Sequence, residues 1–219
     1  MKLTKIGKDK IDESVNDGYL IIGFDLAING GIVISQFVQG IMVHTELYRI
    51  VFGKKDTYHD FENMFIKLIR SFLTYNGVFL CYENSKFNLN RDSKMTSSME
   101  KKVMINTDNI KSLGVKENYV REIGINLDYD FTSFPPPSVI PIMRKELGIS
   151  GFLERKSKKL YAIKVLEKYF YDPDGELIST RSANGYKSFV DDIADAFLFM
   201  ILGAIEVFGK DGFELNGFG

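Results

Sequence analysis

A short apolar run that ends on a single aspartate limits the folds open to this chain more than any other feature. The run extends from Tyr19 to Leu26, and its aliphatic and aromatic side chains are typical of a buried strand. Asp25 lies at the end of the run. Removing an ionised carboxylate from water costs several kcal/mol unless cations or hydrogen-bond donors compensate. The fold is therefore expected to bring a compensating group to Asp25.

Length and composition indicate one globular domain over residues 1–219. Of the 219 residues, 45% are hydrophobic, which is enough for a single large core. The apolar stretches are too short or too interrupted by charge to cross a bilayer, and residues 1–10 lack a signal-peptide core. We therefore expect a cytoplasmic protein with no membrane partner. The single cysteine, Cys81, excludes an intrachain disulfide and a zinc site built from several thiolates.

The formal net charge of −1 argues against binding of nucleic acid over the whole surface. Residues 144–168 nevertheless contain eight basic and three acidic residues, a local excess of five positive charges. This segment is a candidate contact surface for phosphates, and a solvated helix face is the alternative. Its candidate DNA-binding residues are Arg144, Lys145, Arg155, Lys156, Lys158 and Lys159.

Turn residues and apolar periodicity predict three antiparallel strands at the start of the chain. Asn29, Gly30 and Gly31 tolerate the positive φ of a hairpin turn, and Gln39 with Gly40 supplies the next turn. The strands are expected to run from Tyr19 to Leu26, from Ile32 to Val38 and from Ile41 to Phe52.

Helices and strands alternate after these three strands. Apolar residues at three- and four-residue spacing predict a helix from Thr57 to Tyr75, capped by Thr57. The apolar run from Val78 to Glu83 predicts a fourth strand in a parallel position. The remaining expected elements are a strand from Phe131 to Phe134 and helices from Ser138 to Leu147, Ser157 to Tyr171 and Ser188 to Phe208.

Three segments give weaker signals. Residues 84–130 are polar and mixed, with a helix expected near Met95 to Ile105. The sequence "YDPDGELIST" favours a turn or hairpin insertion. Residues 1–10 are either a disordered basic arm or an ordinary solvated terminus.

Four carboxylates are expected to converge. Asp25 and Glu83 each end a strand, while Asp192 and Asp195 lie one turn apart on one face of the last helix. Each acid alone has an ordinary explanation as a turn residue, a solvated strand end or a helix cap. Asp195 resists that explanation because its neighbours are apolar. Four such anions would raise one another's pKa and require cations, and oxygen ligands favour Mg²⁺ or Mn²⁺.

These residues resemble the RuvC-type Holliday-junction resolvases of the ribonuclease H-like superfamily. The resemblance rests on Asp25 in "IIGFDLAINGG", Glu83 in "FLCYEN", and Asp192 with Asp195 in "DIADAF". It implies an α/β fold in which a mixed five-stranded sheet, three antiparallel strands and then parallel additions, is flanked by helices. Relative to the compact family pattern, residues 88–130 and 172–187 are insertions. Such extensions are similar to those of bacteriophage members.

The resemblance also implies further site residues and partners. Lys158 in "RKSKKL" is the counterpart of a catalytic lysine, and Arg144 or Lys145 of a basic residue on the preceding helix. Phe87 is the nearest match to an aromatic residue that contacts bases near the junction, and a buried anchor is its alternative. The implied substrate is a four-way DNA junction, whose two-fold symmetry suits a homodimer.

The implied activity is metal-dependent hydrolysis of phosphodiester bonds. Two divalent ions about 4 Å apart activate water and stabilise the leaving alkoxide. We expect Mg²⁺, with Mn²⁺ able to substitute. Asp25 would bridge the two ions, Glu83 and Asp195 would bind one ion each, and Asp192 would complete a coordination shell. Lys158 would stabilise charge on the phosphate in the transition state, and electrostatic anchoring of a neighbouring phosphate is its alternative role.

Three alternative functions stay open at this point. The first is a nuclease of the same fold that cuts flaps, other branched DNA or RNA–DNA hybrids. The second is an actin-like ATPase, although the short chain offers no clear second phosphate loop. The third is a non-catalytic DNA-binding protein, which would gain nothing from four carboxylates that repel phosphates.

Overall fold

In the computed structural model, a mixed β-sheet forms the centre of the part of the chain that is described. The structure describes residues 1–8, 18–26, 29–53, 55–72, 75–84, 115–150, 155–170 and 190–215. The six strands in these ranges are β1 (Lys2–Lys8), β2 (Gly18–Asp25), β3 (Asn29–Val38), β4 (Ile41–Val51), β5 (Tyr75–Glu83) and β6 (Asp130–Phe134). Their order across the sheet is β1-β4-β3-β2-β5-β6. Strands β1 to β4 pair antiparallel, whereas β5 and β6 are added in parallel.

Helices cover both faces of this sheet. They are α1 (Tyr58–Ile69), α2 (residues 115–127), α3 (Ile140–Leu147), α4 (Arg155–Tyr169) and α5 (Val190–Phe208). Thr57 caps α1 in a capping box, in which the hydroxyl accepts from the Asp60 amide and the Asp60 carboxylate accepts from the Thr57 amide. The prolines before α3 form a short 3₁₀ turn, Pro136–Val139. None of the described helices is both long and apolar enough to cross a membrane.

The two faces of the sheet have separate hydrophobic cores because side chains alternate along each strand. Ile21, Val33 and Phe79 point to the face covered by α3, α4 and α5. Ile22 and Ile32 point to the opposite face, where they pack with residues of α1 and α2. By this alternation Asp25 and Glu83 belong to the α5 face, since they are an even number of residues from Ile21 and Phe79.

The α/β fold predicted from the sequence is confirmed, and the strand count differs by one. The mixed sheet has the ribonuclease H-like arrangement of three antiparallel strands followed by parallel additions, flanked by helices. Five strands were expected, and six are present among the described residues. The additional strand is β1, which pairs with β4 and includes most of the segment considered as a disordered basic arm. That alternative is therefore wrong for Lys2–Lys8.

Strand β1 is held by a buried charge as well as by backbone pairing. Glu46 on β4 is only 3% exposed, and it accepts hydrogen bonds from the Lys5 ammonium and the Tyr48 hydroxyl. Burial alone would raise the pKa of Glu46, but its contacts with His44, Lys5 and Tyr48 outweigh burial and lower the pKa to about 2. Lys5 thus supplies the cation that this buried carboxylate requires.

The segment before β6 contains a helix that the sequence pattern did not predict. Helix α2 packs Val120 and Ile123 against the α1 face of the sheet. Its interior contains Gly124, which lowers helix propensity and weakens the signal. The expected helix near Met95 to Ile105 and the insertion at 172–187 lie outside the described residues.

Candidate active site

Asp25 and Glu83 lie side by side at one edge of the sheet. They end β2 and β5, which are parallel neighbours. The register that pairs Phe24 with Tyr82 brings the next two residues, Asp25 and Glu83, level with each other. Adjacent strands are about 4.8 Å apart. The two carboxylates therefore project from neighbouring positions on the α5 face.

Two glycines allow helix α5 to approach this edge closely. A Cβ atom built on Gly31 of β3 would lie 2.6 Å from the carbonyl carbon of Asp192 and 2.7 Å from the Cα of Ile193. A Cβ atom on Gly23 of β2 would lie 2.6 Å from the amide nitrogen of Met200. Real side chains would not fit at either position. The backbone of α5 thus rests directly on the strands, and its first turn lies beside Asp25.

The first turns of α5 contribute the other two carboxylates. Asp192 and Asp195 are three residues apart, while Ile193 and Ala194 between them are buried in the core. Both acids act electrostatically on Asp25, as does Glu83. The structure therefore brings together Asp25, Glu83, Asp192 and Asp195, the four acids singled out in the sequence.

Burial, together with repulsion from nearby acids, raises the pKa of each of these four carboxyl groups. Burial, followed by repulsion from Asp195, Asp192 and Glu83, raises the pKa of Asp25 well above its ordinary value. Burial is also the largest cause for the two aspartates of α5, whose pKa values are both raised to about 7. The pKa of Glu83 is raised by burial and by Glu117. At neutral pH the metal-free site therefore retains protons that ordinary carboxyl groups would have lost.

A lysine from α4 lies beside the four carboxylates. The Lys159 ammonium donates a hydrogen bond to one oxygen of Asp191 and forms an ion pair with it. Burial lowers the pKa of Lys159, but the bond to Asp191 and attraction to Asp195 and Asp192 outweigh burial and raise it. The second oxygen of Asp191, Oδ1, is buried and has no hydrogen-bond partner among the residues that the structure describes. It is an unfilled acceptor next to the site.

The basic residues predicted to contact DNA divide into distinct groups. Lys159 reaches the acidic site, whereas its neighbour Lys158 does not make the ion pair with Asp191. Arg144 and Lys145 are exposed on α3. The structure describes only the backbone of Arg155 and Lys156, which begin α4, and Phe87 lies outside the described residues.

Two residues near the site were missed from the sequence. Glu117 at the start of α2 raises the pKa of Glu83, and Arg49 on β4 lowers that of Asp192. Nothing in the local sequence pattern marks Glu117, because the pattern did not predict α2. Arg49 could not be recognised from the local sequence, because its position beside Asp192 depends on the register between strands.

The donor atoms at this site suit a divalent metal ion. The donors are the carboxylate oxygens of Asp25, Glu83, Asp192 and Asp195, which are the ligands preferred by Mg²⁺ and Mn²⁺. Asp191 adds its buried Oδ1, which has no hydrogen-bond partner within the described ranges. Among the described residues, no group of three acids, histidines or cysteines is already arranged around one ion position. The chemistry of the donors thus fits a hard cation, and side-chain rotation would have to close the coordination shell.

Gly31→Ala is expected to disturb the site from beneath. The added methyl group would displace the first turn of α5 and cost about 1–3 kcal/mol, the usual range for overpacking. Thermal unfolding with and without Mn²⁺ would measure both the lower stability and a smaller stabilisation by metal. Gly53→Ala is the matched control, because a Cβ there would meet only the side-chain end of Asp56, at 3.3 Å. Equal behaviour of the two variants would contradict this account.

Comparison with known proteins gives distant structural likenesses. No protein-family model and no curated protein matches the sequence. Thermus thermophilus RuvC in complex with a Holliday junction substrate is similar at a TM-score of 0.45 and 11% identity, over 83% of this chain and 90% of that chain. A second Thermus thermophilus RuvC structure gives a TM-score of 0.41 at 11% identity, over 82% and 92% of the two chains.

A transposase structure is more distant. The catalytic domain of Mos1 transposase with raltegravir and Mn gives a TM-score of 0.23 at 12% identity, over 86% of this chain and 82% of that chain. At these identities and TM-scores, none of the three structures assigns an activity to this chain.

Proposed function

We propose that this chain is a metal-dependent endonuclease of branched DNA, with the four-way junction as its preferred substrate. The observation that carries the proposal is the convergence of Asp25, Glu83, Asp192 and Asp195 at one edge of the sheet. A fold gains no stability from four acids that raise one another's pKa. Binding of divalent cations requires such a concentration of negative charge, and this function would explain the site.

The proposed ligand roles follow from the positions of the four acids. Asp25 occupies the middle of the cluster, since Glu83, Asp192 and Asp195 all act on it, and it would bridge two ions. Glu83 would hold one ion and Asp195 the other, with Asp192 completing a shell. Bound Mg²⁺ or Mn²⁺ would supply an activated water and neutralise the scissile phosphate and the leaving oxygen.

Of the lysines whose positions the structure describes, Lys159 is the best placed to act on DNA at the site. Its ammonium lies beside Asp191 and is attracted by Asp192 and Asp195. When a phosphodiester group occupies the site, this ammonium would exchange Asp191 for a phosphate oxygen and stabilise charge there. Lys158, the lysine predicted for this role from the sequence, adjoins it on α4 and would contact a neighbouring part of the DNA.

The choice of a four-way junction rests on the sequence resemblance and on symmetry. A junction has two opposed strands to cut, and a homodimer presents one site to each of them. A nuclease that cuts flaps or hybrids would need only one site. The number of cuts and their relation therefore separate the two substrate classes.

The test is cleavage of a substrate panel by purified protein with Mg²⁺, Mn²⁺ or EDTA. The labelled substrates are a four-way junction, a flap, a linear duplex and an RNA–DNA hybrid of matched sequence. We expect paired nicks in opposed junction strands with either metal, no cleavage in EDTA, and little cleavage of duplex. Faster cleavage of flaps or hybrids would show that one of these, and not the four-way junction, is the preferred substrate. If no substrate is cleaved in a metal-dependent manner, the nuclease proposal is overturned.

A further inference from the structure

One transverse row of residues crosses the sheet at the carboxylate site. Strand β2 pairs Asp25 with Gly31 of β3, and β3 pairs Gly31 with Arg49 of β4. On the other side of Asp25, Glu83 of β5 lies level with it. The row therefore reads Glu83, Asp25, Gly31, Arg49, with all four positions facing α5 because directly paired residues share a face.

The glycine in this row leaves room for the helix, and the arginine flanks the helix. Since the backbone of Asp192 rests on Gly31, Arg49 lies next to the first turn of α5. The Nε atom of Arg49 is buried, and the guanidinium and Asp192 attract each other electrostatically. Arg49 is thus a cation held at the border of the carboxylate site, on a rigid strand in the interior of the sheet.

Distance limits what this cation can contact. Arg49 lies two strands away from Asp25, which separates their backbones by roughly 10 Å. A phosphate held between Asp25 and Glu83 would lie at one end of the row, whereas the next phosphate of a DNA strand that crosses the row would lie towards Arg49, at the other end. The planar guanidinium offers paired donors that match phosphate oxygens.

We infer that Arg49 binds the DNA phosphate adjacent to the one that is hydrolysed, and so fixes the path of the cut strand across the sheet. This inference rests on the proposed nuclease function. It makes the row a composite site in which Asp25 and Glu83 serve the reacting phosphate and Arg49 serves its neighbour. Arg49 is a DNA-contacting residue in this assignment and takes no part in bond cleavage.

The test measures DNA binding against salt concentration in an Asp25→Asn background, which prevents cleavage. Removing one protein–phosphate interaction with duplex DNA reduces the slope of log K against log salt by about 0.9. We expect Arg49→Gln to reduce the slope by that amount for a four-way junction, and Arg49→Lys to restore it. Arg70→Gln is the matched control, because Arg70 is exposed at the end of α1 on the opposite face of the sheet.

The outcomes separate this inference from the function on which it rests. An unchanged slope in Arg49→Gln, with normal junction binding by the parent protein, would overturn the role of Arg49 alone. A purely structural role would weaken binding without changing the slope, and it would also overturn the inference. Failure of the parent protein to bind any branched DNA would overturn both proposals together.

Discussion

Asp25→Asn is expected to stabilise the metal-free protein and to abolish the proposed nuclease activity. The amide has almost the size of the carboxyl group but cannot ionise, so it removes the cost that burial and three neighbouring acids impose on the ionised form. We expect the free energy of unfolding in EDTA to rise by about 1 kcal/mol or more. For a domain of this size that corresponds to an increase in Tm of roughly 3 °C. Most substitutions at a buried polar position destabilise, so the sign is diagnostic.

The same variant should lack the proposed response to metal and the proposed cleavage of DNA. An amide cannot bridge two cations as a carboxylate does, so Mn²⁺ should no longer raise Tm. Cleavage should fall by at least about 100-fold, the lower end of what loss of one electrostatic contact with a transition state costs. Differential scanning calorimetry and single-turnover cleavage would measure both effects.

Asp211→Asn is the control for this substitution, because Asp211 is exposed beyond the end of α5. It should alter neither Tm nor cleavage. An Asp25→Asn protein that is less stable than the wild type in EDTA, or that still cleaves DNA at the wild-type rate, would contradict the assignment of Asp25 to a strained metal site.

The metal-free protein is expected to lose stability as the pH rises from about 5 to 8. Asp192 and Asp195 have folded-state pKa values of about 7, mainly because of burial, against an ordinary value of 3.8. Between those two values the folded state binds more protons than the unfolded state, so the free energy of unfolding falls with rising pH. Because both side chains keep partial contact with solvent, we expect a total loss of about 2–4 kcal/mol.

The buried carboxyl group of Glu46 sets the lower pH limit for this measurement. Glu46 has the opposite shift, with a pKa of about 2, and its stabilisation is lost as the pH falls below about 4.5. Urea unfolding in EDTA between pH 5 and 8 therefore isolates the acidic site. With saturating Mg²⁺ the trend should reverse, because a cation displaces the protons and binds better as the pH rises.

The double variant Asp192→Asn with Asp195→Asn is the control for the pH dependence. It removes two of the four acids whose pKa values are raised, namely the two that are raised to about 7, so its stability in EDTA should vary less between pH 5 and 8. A wild-type protein whose stability in EDTA rises with pH over this range would show that these carboxyl groups are not strained in the folded state.

The strand ends and the final helix could be predicted because their signals are local. Asp25 and Glu83 each follow an apolar run, and Asp195 interrupts an apolar helix, so each acid is conspicuous within about ten residues of sequence. Their convergence required only a parallel neighbour for β2 and a helix across it. Both follow from common α/β connections.

The other features of the site depend on long-range register or on helix rotation. Arg49 joins the site because β4 pairs with β3 at Gly31, a relation that no local pattern encodes. Lys158 and Lys159 are adjacent, but successive helical residues point about 100° apart, so only the packing of α4 decides which one meets Asp191. Strand β1 was likewise not predicted. Its Lys5 contacts the buried Glu46 of β4, and this long-range contact is not marked by the local sequence.

Because of the glycine contacts beneath α5, the geometry of the acidic site depends little on which side chains fill the core. Where a layer of side chains spaces a helix from a sheet, every change of size in that layer shifts the helix. Here the main chain of α5 touches Gly23 and Gly31 directly, so the gap between the acids of the helix and those of the strands is fixed by atoms common to all amino acids. Aliphatic residues elsewhere in the core can therefore be exchanged, in evolution or in the laboratory, with little effect on that gap. Gly23 and Gly31 cannot be exchanged in this way, because any larger residue would push α5 away from the strands.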